Sequence, residues 1–275
     1  MTDYFGKKKL LKNIKAITTE NAIKWKKFSD LMGKDPYEYW ANIVRSDGCL
    51  WGVVKTDHPS KLGGQQQLSY QMLNVLPCTK DEINDICKDS VDYVELLKRD
   101  DDEFEYFLRK NANEVNHYEM MADLYRHNNE FANSKWFRLE KRKIINNYVN
   151  KLRQGKIFVN GDNLTLCGNP YALLLCAVGD DYRKDVTLLQ EDGVIQCYTK
   201  RFDDGEYICG FRSPNNSMNN VGYFHNVKHP LMEKYFEFSE NIIAINGIGT
   251  DVQSRMNGAD MDSRVNGSVQ RKLCS

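Results

Sequence analysis

The sequence predicts an α+β chain, a mostly helical N-terminal region followed by a small β-barrel, and three observations carry that expectation. Up to about residue 154, apolar residues recur at three- and four-residue spacing between helix start and stop signals. From Lys156 the period shortens to that of strands. The strand-like runs are short and separated by turns, which indicates a barrel or a sandwich, and closing such a sheet removes its exposed edges. With 275 residues, 41% of them apolar, there is material for one large or two small cores. We expect a helical region with basic faces over 1–154, the barrel over 155–264, and an irregular tail over 265–275 that reads as a truncated C-terminus.

Taken in order, Thr19-Glu20 opens a helix that runs through Trp25 and Phe28 to a stop at Gly33. Asp35-Pro36 starts a second, with Tyr37, Trp40, Ala41 and Val44 on one face. Residues 49–55 read as a strand. Residues 57–64 hold Pro59 and Gly63-Gly64, which break regular structure. The Gln-, Ser- and Tyr-containing segment 65–72 then enters a helix rich in donors and acceptors. Such a segment suits a polar backbone or bases, and equally suits a helix start against a neighbouring domain.

Thr79 and Glu82 have the spacing of a capping box, opening a helix that buries Ile83, Ile86, Cys87, Val91, Val94 and Leu97. Its other face is acidic and solvated. Residues 113–154 read as one long helix or a helical pair, with Leu124, Phe131, Trp136, Leu139, Ile144, Ile145, Tyr148, Val149 and Leu152 inward and Gly155 as the stop. Residues 156–167 read as a hairpin with Asn160-Gly161 at its tip. Residues 171–178 form either a short helix or a buried strand. Strands are expected over 186–189, 194–198, 207–211 and 242–248, with a helical turn at 229–236.

The formal charge is zero, but the charges are segregated. Residues 1–34 carry nine lysines against three acidic residues, 79–105 carry eleven acidic against four basic, and 135–156 carry eight basic against one acidic. Basic stretches of this kind follow a phosphate backbone, or they pair as solvated helix faces with the acidic segment. Eight scattered cysteines contain no C-x-x-C pair and read as buried free thiols, and the five histidines show no zinc-ligand spacing with them. No apolar run approaches the ~20 residues a membrane helix needs, and the first residues lack a signal-peptide apolar stretch, so a cytoplasmic location without membrane contact is expected. Phosphate-binding G-x-x-x-x-G-K-[ST], G-x-S-x-G and H-E-x-x-H motifs are absent from the sequence.

One segment points to chemistry: Asn257-Gly258-Ala259-Asp260-Met261-Asp262-Ser263-Arg264. In an extended or tightly turned chain, residues i and i+2 project the same way, so Asp260 and Asp262 can share a hard cation. The alternative is a plain surface turn, since Asp, Asn and Gly are common turn residues. Upstream stand Phe211-Arg212-Ser213-Pro214, the apolar run 242–245, and Asp251-Val252-Gln253.

In that order, these pieces resemble the catalytic double-psi barrel of multisubunit-type RNA polymerases and their single-chain phage and silencing-type RNA-dependent relatives. There an R-x-P segment precedes a hydrophobic strand and a D-x-D-x-D loop. The resemblance implies that Asp260 and Asp262 hold catalytic Mg2+ and that Arg212 contacts the sugar of an incoming nucleotide. It implies a nucleic acid template and nucleoside triphosphates as partners, a double-psi-like architecture, and a missing C-terminal part of the polymerase. The segment 61–72 is similar to stretches in the single-chain phage enzymes. The position of the third aspartate holds Arg264, which removes a carboxylate and adds positive charge beside the cation. The chain is therefore expected to be inactive alone. A non-catalytic nucleic-acid-binding module is the alternative.

Overall fold

A computed structural model describes residues 6–14, 33–46, 48, 63–191, 194–259 and 264–268. The helix expected from Thr19, the strand over 49–55, most of the loop over 57–62, and both Asp260 and Asp262 lie outside the described residues. The chain divides into two compact units: Gln67–Val159, and Met1–Gln66 with Asn160–Ser275. The described elements are α and β in mixture, with a curled, mixed six-stranded sheet in the second unit. Among the described residues, no helix is long and apolar enough to cross a membrane.

In the Gln67–Val159 unit, α2 (Tyr70–Asn74), α3 (Lys80–Arg99), α4 (Asp101–Asn111), α5 (Tyr118–His127) and α6 (Lys135–Arg153) follow one another, α1 (Pro36–Arg45) belonging to the other unit. The capping box is present: the Thr79 amide donates to Glu82 at 2.7 Å and the Glu82 amide to Thr79 Oγ1 at 3.4 Å. The buried stripe of α3 is Ile86, Ser90, Val94 and Leu97. Val91, expected inside, is 52% exposed, because the inward row passes through small, polar Ser90 instead. The core joins Val94 and Leu97 to Phe104, Leu108, Met121, Ala122, Tyr125, Phe137, Ile144 and Ile145, with edge-on rings at Phe104–Phe137.

The region expected as one helix or a pair resolves into α5, a 3-10 turn over Asn129–Asn133, and α6. Asn128 starts the turn by accepting from Glu130, and Ser134 caps α6 by accepting from Phe137 at 3.1 Å. Leu124 and Leu139 face solvent, contrary to expectation. At its end α6 closes with a Schellman pair, Gly155 N to Leu152 O and Lys156 N to Lys151 O. Gly155 has φ +76°, and a Cβ there would lie 2.9 Å from the Tyr70 backbone. The glycine is required both by conformation and by space.

In the other unit, the Asp35 carboxylate caps α1 by accepting from Glu38 at 2.9 Å, and Ala41 is buried while Tyr39 and Ile43 face out. Strand β1 (Gln65–Gln67) occupies part of the segment read as entering a helix, and the helix begins only at Tyr70 after Ser69. Strand β2 (Phe158–Gly168) is a single 11-residue strand, not a hairpin. An Asn-Gly turn needs its two arms to pair with each other. Here the Gly161 amide instead donates to Gly64 O, residues 161–165 pair with β8 (Arg264–Ser268), and residues 165–168 pair with β7 (Ile242–Ile245). The stronger tertiary partners keep the chain straight through Asn160-Gly161.

Helix α7 (Pro170–Val178) settles the 171–178 ambiguity: Asn169 caps it, and Gly179 ends it at φ +88°. The expected strand over 186–189 does not form. The Asp185 carboxylate accepts from both the Thr187 amide and hydroxyl, holding a turn, and only the two-residue β3 (Gln190–Glu191) follows. Strands β4 (Val194–Tyr198) and β5 (Tyr207–Phe211) have the expected bounds. The polar-looking stretch after Pro214 contains β6 (Val221–Asn226), which composition hid. Helix α8 (Pro230–Tyr235) matches the expected helical turn, and α9 (Val252–Arg255) follows β7. Strand β7 stops at Ile245 because Asn246 turns back to accept from Ile248 at 2.9 Å.

Pairings run β2–β7–β4–β6–β5–β8, and β8 also pairs with β2, so one strand bridges both margins of the curled sheet. β2–β7 and β4–β6 are parallel; the remaining contacts of this ring are antiparallel. Residues 264–268, expected mostly as irregular tail, are thus integral to the sheet. Inside lie Leu164, Leu166, Ile195, Cys197, Phe202, Ile208, Phe224, Ile243 and Ile245, together with Val252, Met256 and Ala259. A second layer of Leu188, Tyr198, Met232 and Ala244 packs on the outside with Tyr171, Phe236 and Phe238. Among the described cysteines, Cys197 and Cys209 are buried, but Cys176 is exposed on α7, against expectation. Burial pushes the Cys167 thiol up to about 12 and Cys197 higher still, so neither is a nucleophile at neutral pH.

Candidate functional site

The segment that leads into the acidic pair is anchored from below. Val252, Met256 and Ala259 are 1%, 0% and 3% exposed and belong to the sheet's own core. Their 4- and 3-residue spacing puts one side of α9 and its continuation on the sheet interior. Met256 fits because β6 carries Gly222 beneath it: a Cβ there would sit 2.9 Å from the methionine sulfur and 2.6 Å from the Phe224 ring. Ala259 is held in both directions by Gln253, whose backbone carbonyl accepts from the Ala259 amide at 2.9 Å and whose side chain donates to the Ala259 carbonyl at 3.0 Å.

Arg212 stands directly after β5 and reaches across to this segment. Its Nη1 donates to the carbonyls of Met256 at 3.2 Å and Asn257 at 2.6 Å. A guanidinium presents donors in a fixed planar fork, so one nitrogen can bridge two adjacent carbonyls while the others point elsewhere. None of its other nitrogens has a hydrogen bond among the described residues. Asn220, at the end of the loop from Pro214, donates to Arg255 O at 2.8 Å and to the Asn257 side chain at 3.3 Å. Asn257 completes the tie by donating to Pro214 O. Its φ of +54° followed by Gly258 at +63° gives two left-handed residues in succession, conformations that Asn and Gly adopt most readily.

The stretch from Arg212 to Asn220 and the stretch from Arg255 to Asn257, some forty residues apart in sequence, are therefore joined by five side-chain hydrogen bonds. Arg264 begins β8 opposite Thr165 of β2. Of the expected site residues, Arg212 is placed beside the segment 256–257; Asp260 and Asp262 lie outside the described residues. Among the described residues no group of three His, Cys, Asp or Glu side chains is arranged to hold a metal ion.

Sequence reasoning missed Asn220, Asn257 as a tie, and the buried carboxamide of Asn215. Asn215 is 4% exposed, and neither its oxygen nor its nitrogen has a hydrogen-bond partner among the described residues. The run Pro214-Asn215-Asn216 and its later partner Asn257 were legible only as turn-formers. No protein-family model matches the sequence, and no curated protein matches it.

Proposed function

We propose that this chain is part of an RNA-synthesising nucleotidyltransferase of the double-psi-barrel kind, in the manner of the single-chain phage polymerases, and that it is inactive alone. The observation that carries the reading is the Arg212 clamp: the arginine of the R-x-P segment holds the two carbonyls that stand four and three residues ahead of Asp260. The curled six-stranded mixed sheet, with parallel pairs β2–β7 and β4–β6, is compatible with that architecture. Asp260 and Asp262 would hold Mg2+, which when bound orients triphosphate oxygens and neutralises charge developing at phosphorus. Arg212 would direct its unused donors at the ribose of the incoming nucleotide. A cytoplasmic setting with a nucleic acid template follows from this role.

Arg264 favours a second reading, a module that holds nucleic acid without chemistry, because a guanidinium in place of a carboxylate opposes cation binding. Calorimetric titration of Mg2+ into the chain and into Arg264→Asp separates the two. The polymerase reading expects affinity at least about tenfold higher in Arg264→Asp, corresponding to ~1.4 kcal/mol, and loss of that gain when Asp260→Asn is added. Equal affinity in all three proteins overturns it and leaves the module. Primer extension by the unmodified chain is expected to yield no product, and robust Mg2+-dependent synthesis would refute inactivity.

A further inference from the structure

The exposed face of α6 carries a row of cations that the fold leaves unused. Lys135, Arg138, Arg142 and Arg153 stand at i, i+3, i+7 and i+18, close to one line along the helix, and all four are exposed. At 1.5 Å rise per residue the row spans about 27 Å. Other cations of the same helix are consumed internally: Lys141 pairs with Asp101 at 2.6 Å and lies over the Phe104 ring, and Lys143 pairs with Glu140 at 2.6 Å. By contrast, none of the four pairs with a carboxylate among the described residues. Arg138 donates only to the Asn133 carbonyl, and Arg153 only to the Asn150 side chain. Glu140, the single acidic residue of α6, has a largely covered side chain held by Lys143 and His117.

Between and beside the cations stand polar amides and one exposed ring. Asn146 falls on the same line between Arg142 and Arg153 and is exposed. Trp136, next to Lys135, is 40% exposed, and its inner edge is supported by His117 and Phe131 at ring-centre distances of 5.9 and 5.8 Å. Lys135, Arg138 and Arg142 line a shallow hollow of about 280 Å3 with Asn133 and Leu139. A row of unpaired cations supplies affinity for a polyanion, and a propped, half-exposed indole supplies a face on which a base can stack.

We infer that α6 is a binding surface for single-stranded nucleic acid, with Lys135, Arg138, Arg142 and Arg153 tracking the phosphates and Trp136 stacking a base. The surface lies wholly within the helical unit and needs neither Mg2+ nor the acidic pair, so it stands or falls separately from the polymerase reading. Fluorescence anisotropy of a labelled dodecameric oligo(dT) against the full chain, measured across salt concentrations, tests it. Replacing Lys135, Arg138 and Arg142 by Gln should flatten the log-affinity against log-salt slope by about 2, from ~0.7 per lost phosphate contact on single strands. Trp136→Ala should weaken oligo(dT) at constant slope. Lys234→Gln, at an exposed lysine of the other unit, should change neither. Circular dichroism of each variant verifies the helical content, since the side chains of Lys135, Trp136, Arg138 and Arg142 are exposed. An unchanged slope and affinity in the triple variant would overturn the inference. So would a defect seen only with anionic lipid vesicles, or duplex binding that is as tight as oligo(dT) and indifferent to Trp136.

Discussion

Asn226 offers the sharpest test of how the sheet is held together. The last residue of β6, it is fully buried, and its side chain serves the connection between β4 and β5. Its oxygen accepts from the Thr199 amide at 2.9 Å, and its nitrogen is shared among the carbonyls of Thr199 at 3.2 Å, Phe202 at 3.0 Å and Asp203 at 3.0 Å. Asn226→Ala removes the equivalent of about three hydrogen bonds at roughly 1 kcal/mol each and strands buried backbone groups. We expect a loss of about 3–5 kcal/mol, a large share of the stability of an ordinary domain. Urea denaturation followed by circular dichroism gives the magnitude, and amide exchange at Thr199 gives the location. The exposed Asn147→Ala should stay within about 0.5 kcal/mol as the control. Asn226→Asp keeps the shape but turns a carboxylate toward three carbonyls, which raises its folded pKa above the unfolded value of about 3.9. Its deficit should be smallest below pH ~4 and grow as pH rises through the folded pKa. A loss under about 1 kcal/mol in the alanine variant, with Thr199 exchange unaltered, would refute the reasoning.

Two further outcomes follow from features of the helical unit. Gly155→Ala puts a side chain at φ +76° and against the Tyr70 backbone, so thermal or urea melting should register a loss of at least ~2 kcal/mol; a neutral result would mean that the end of α6 shifts freely. Desolvation, then its hydrogen bond to Asp102, pushes the Tyr125 hydroxyl up to about 12. Because the folded value exceeds the unfolded ~10, this contribution is intact below pH 10 and is lost between 10 and about 12. Urea midpoints over that range should fall less steeply in Tyr125→Phe, with the remainder coming from Tyr93, Tyr118, Tyr148 and Tyr198, whose hydroxyls burial also raises. Identical slopes would remove Tyr125 as a contributor.

Local signals were legible where they are satisfied locally. The capping box at Thr79, the Pro36 helix start and the Gly155 stop depend on neighbours within a turn, and strands β4 and β5 are mostly apolar and β-branched or aromatic. Misreadings arose where distant partners decide. Asn160-Gly161 has the chemistry of a hairpin tip, yet Gly64 and β8 compete for its backbone and win. β6 escaped notice because two of the three residues in its inward row are Gly222 and Asn226, one letting Met256 approach and the other bonding carbonyls rather than being apolar. For the candidate site, Arg212 was singled out by motif order, but its grip on the Met256 and Asn257 carbonyls needed coordinates. Asn215 and Asn220 carry no periodic signal and sit in a stretch that reads as loop.

β8 has a consequence for biosynthesis. It pairs with β2 at Gly161↔Ser268 and with β5 at Cys209↔Ser268, partners made 107 and 59 residues earlier in the chain. While a ribosome is still short of Ser268, two flanks of the sheet have unsatisfied amides and carbonyls facing solvent, the state in which nascent chains stick to one another. Ring closure is also a long-range event and correspondingly slow. Among the strands of this ring β8 is the last to be made, so yield in the cell should depend on how long those flanks are shielded, by a chaperone or by growth at low temperature, before it arrives.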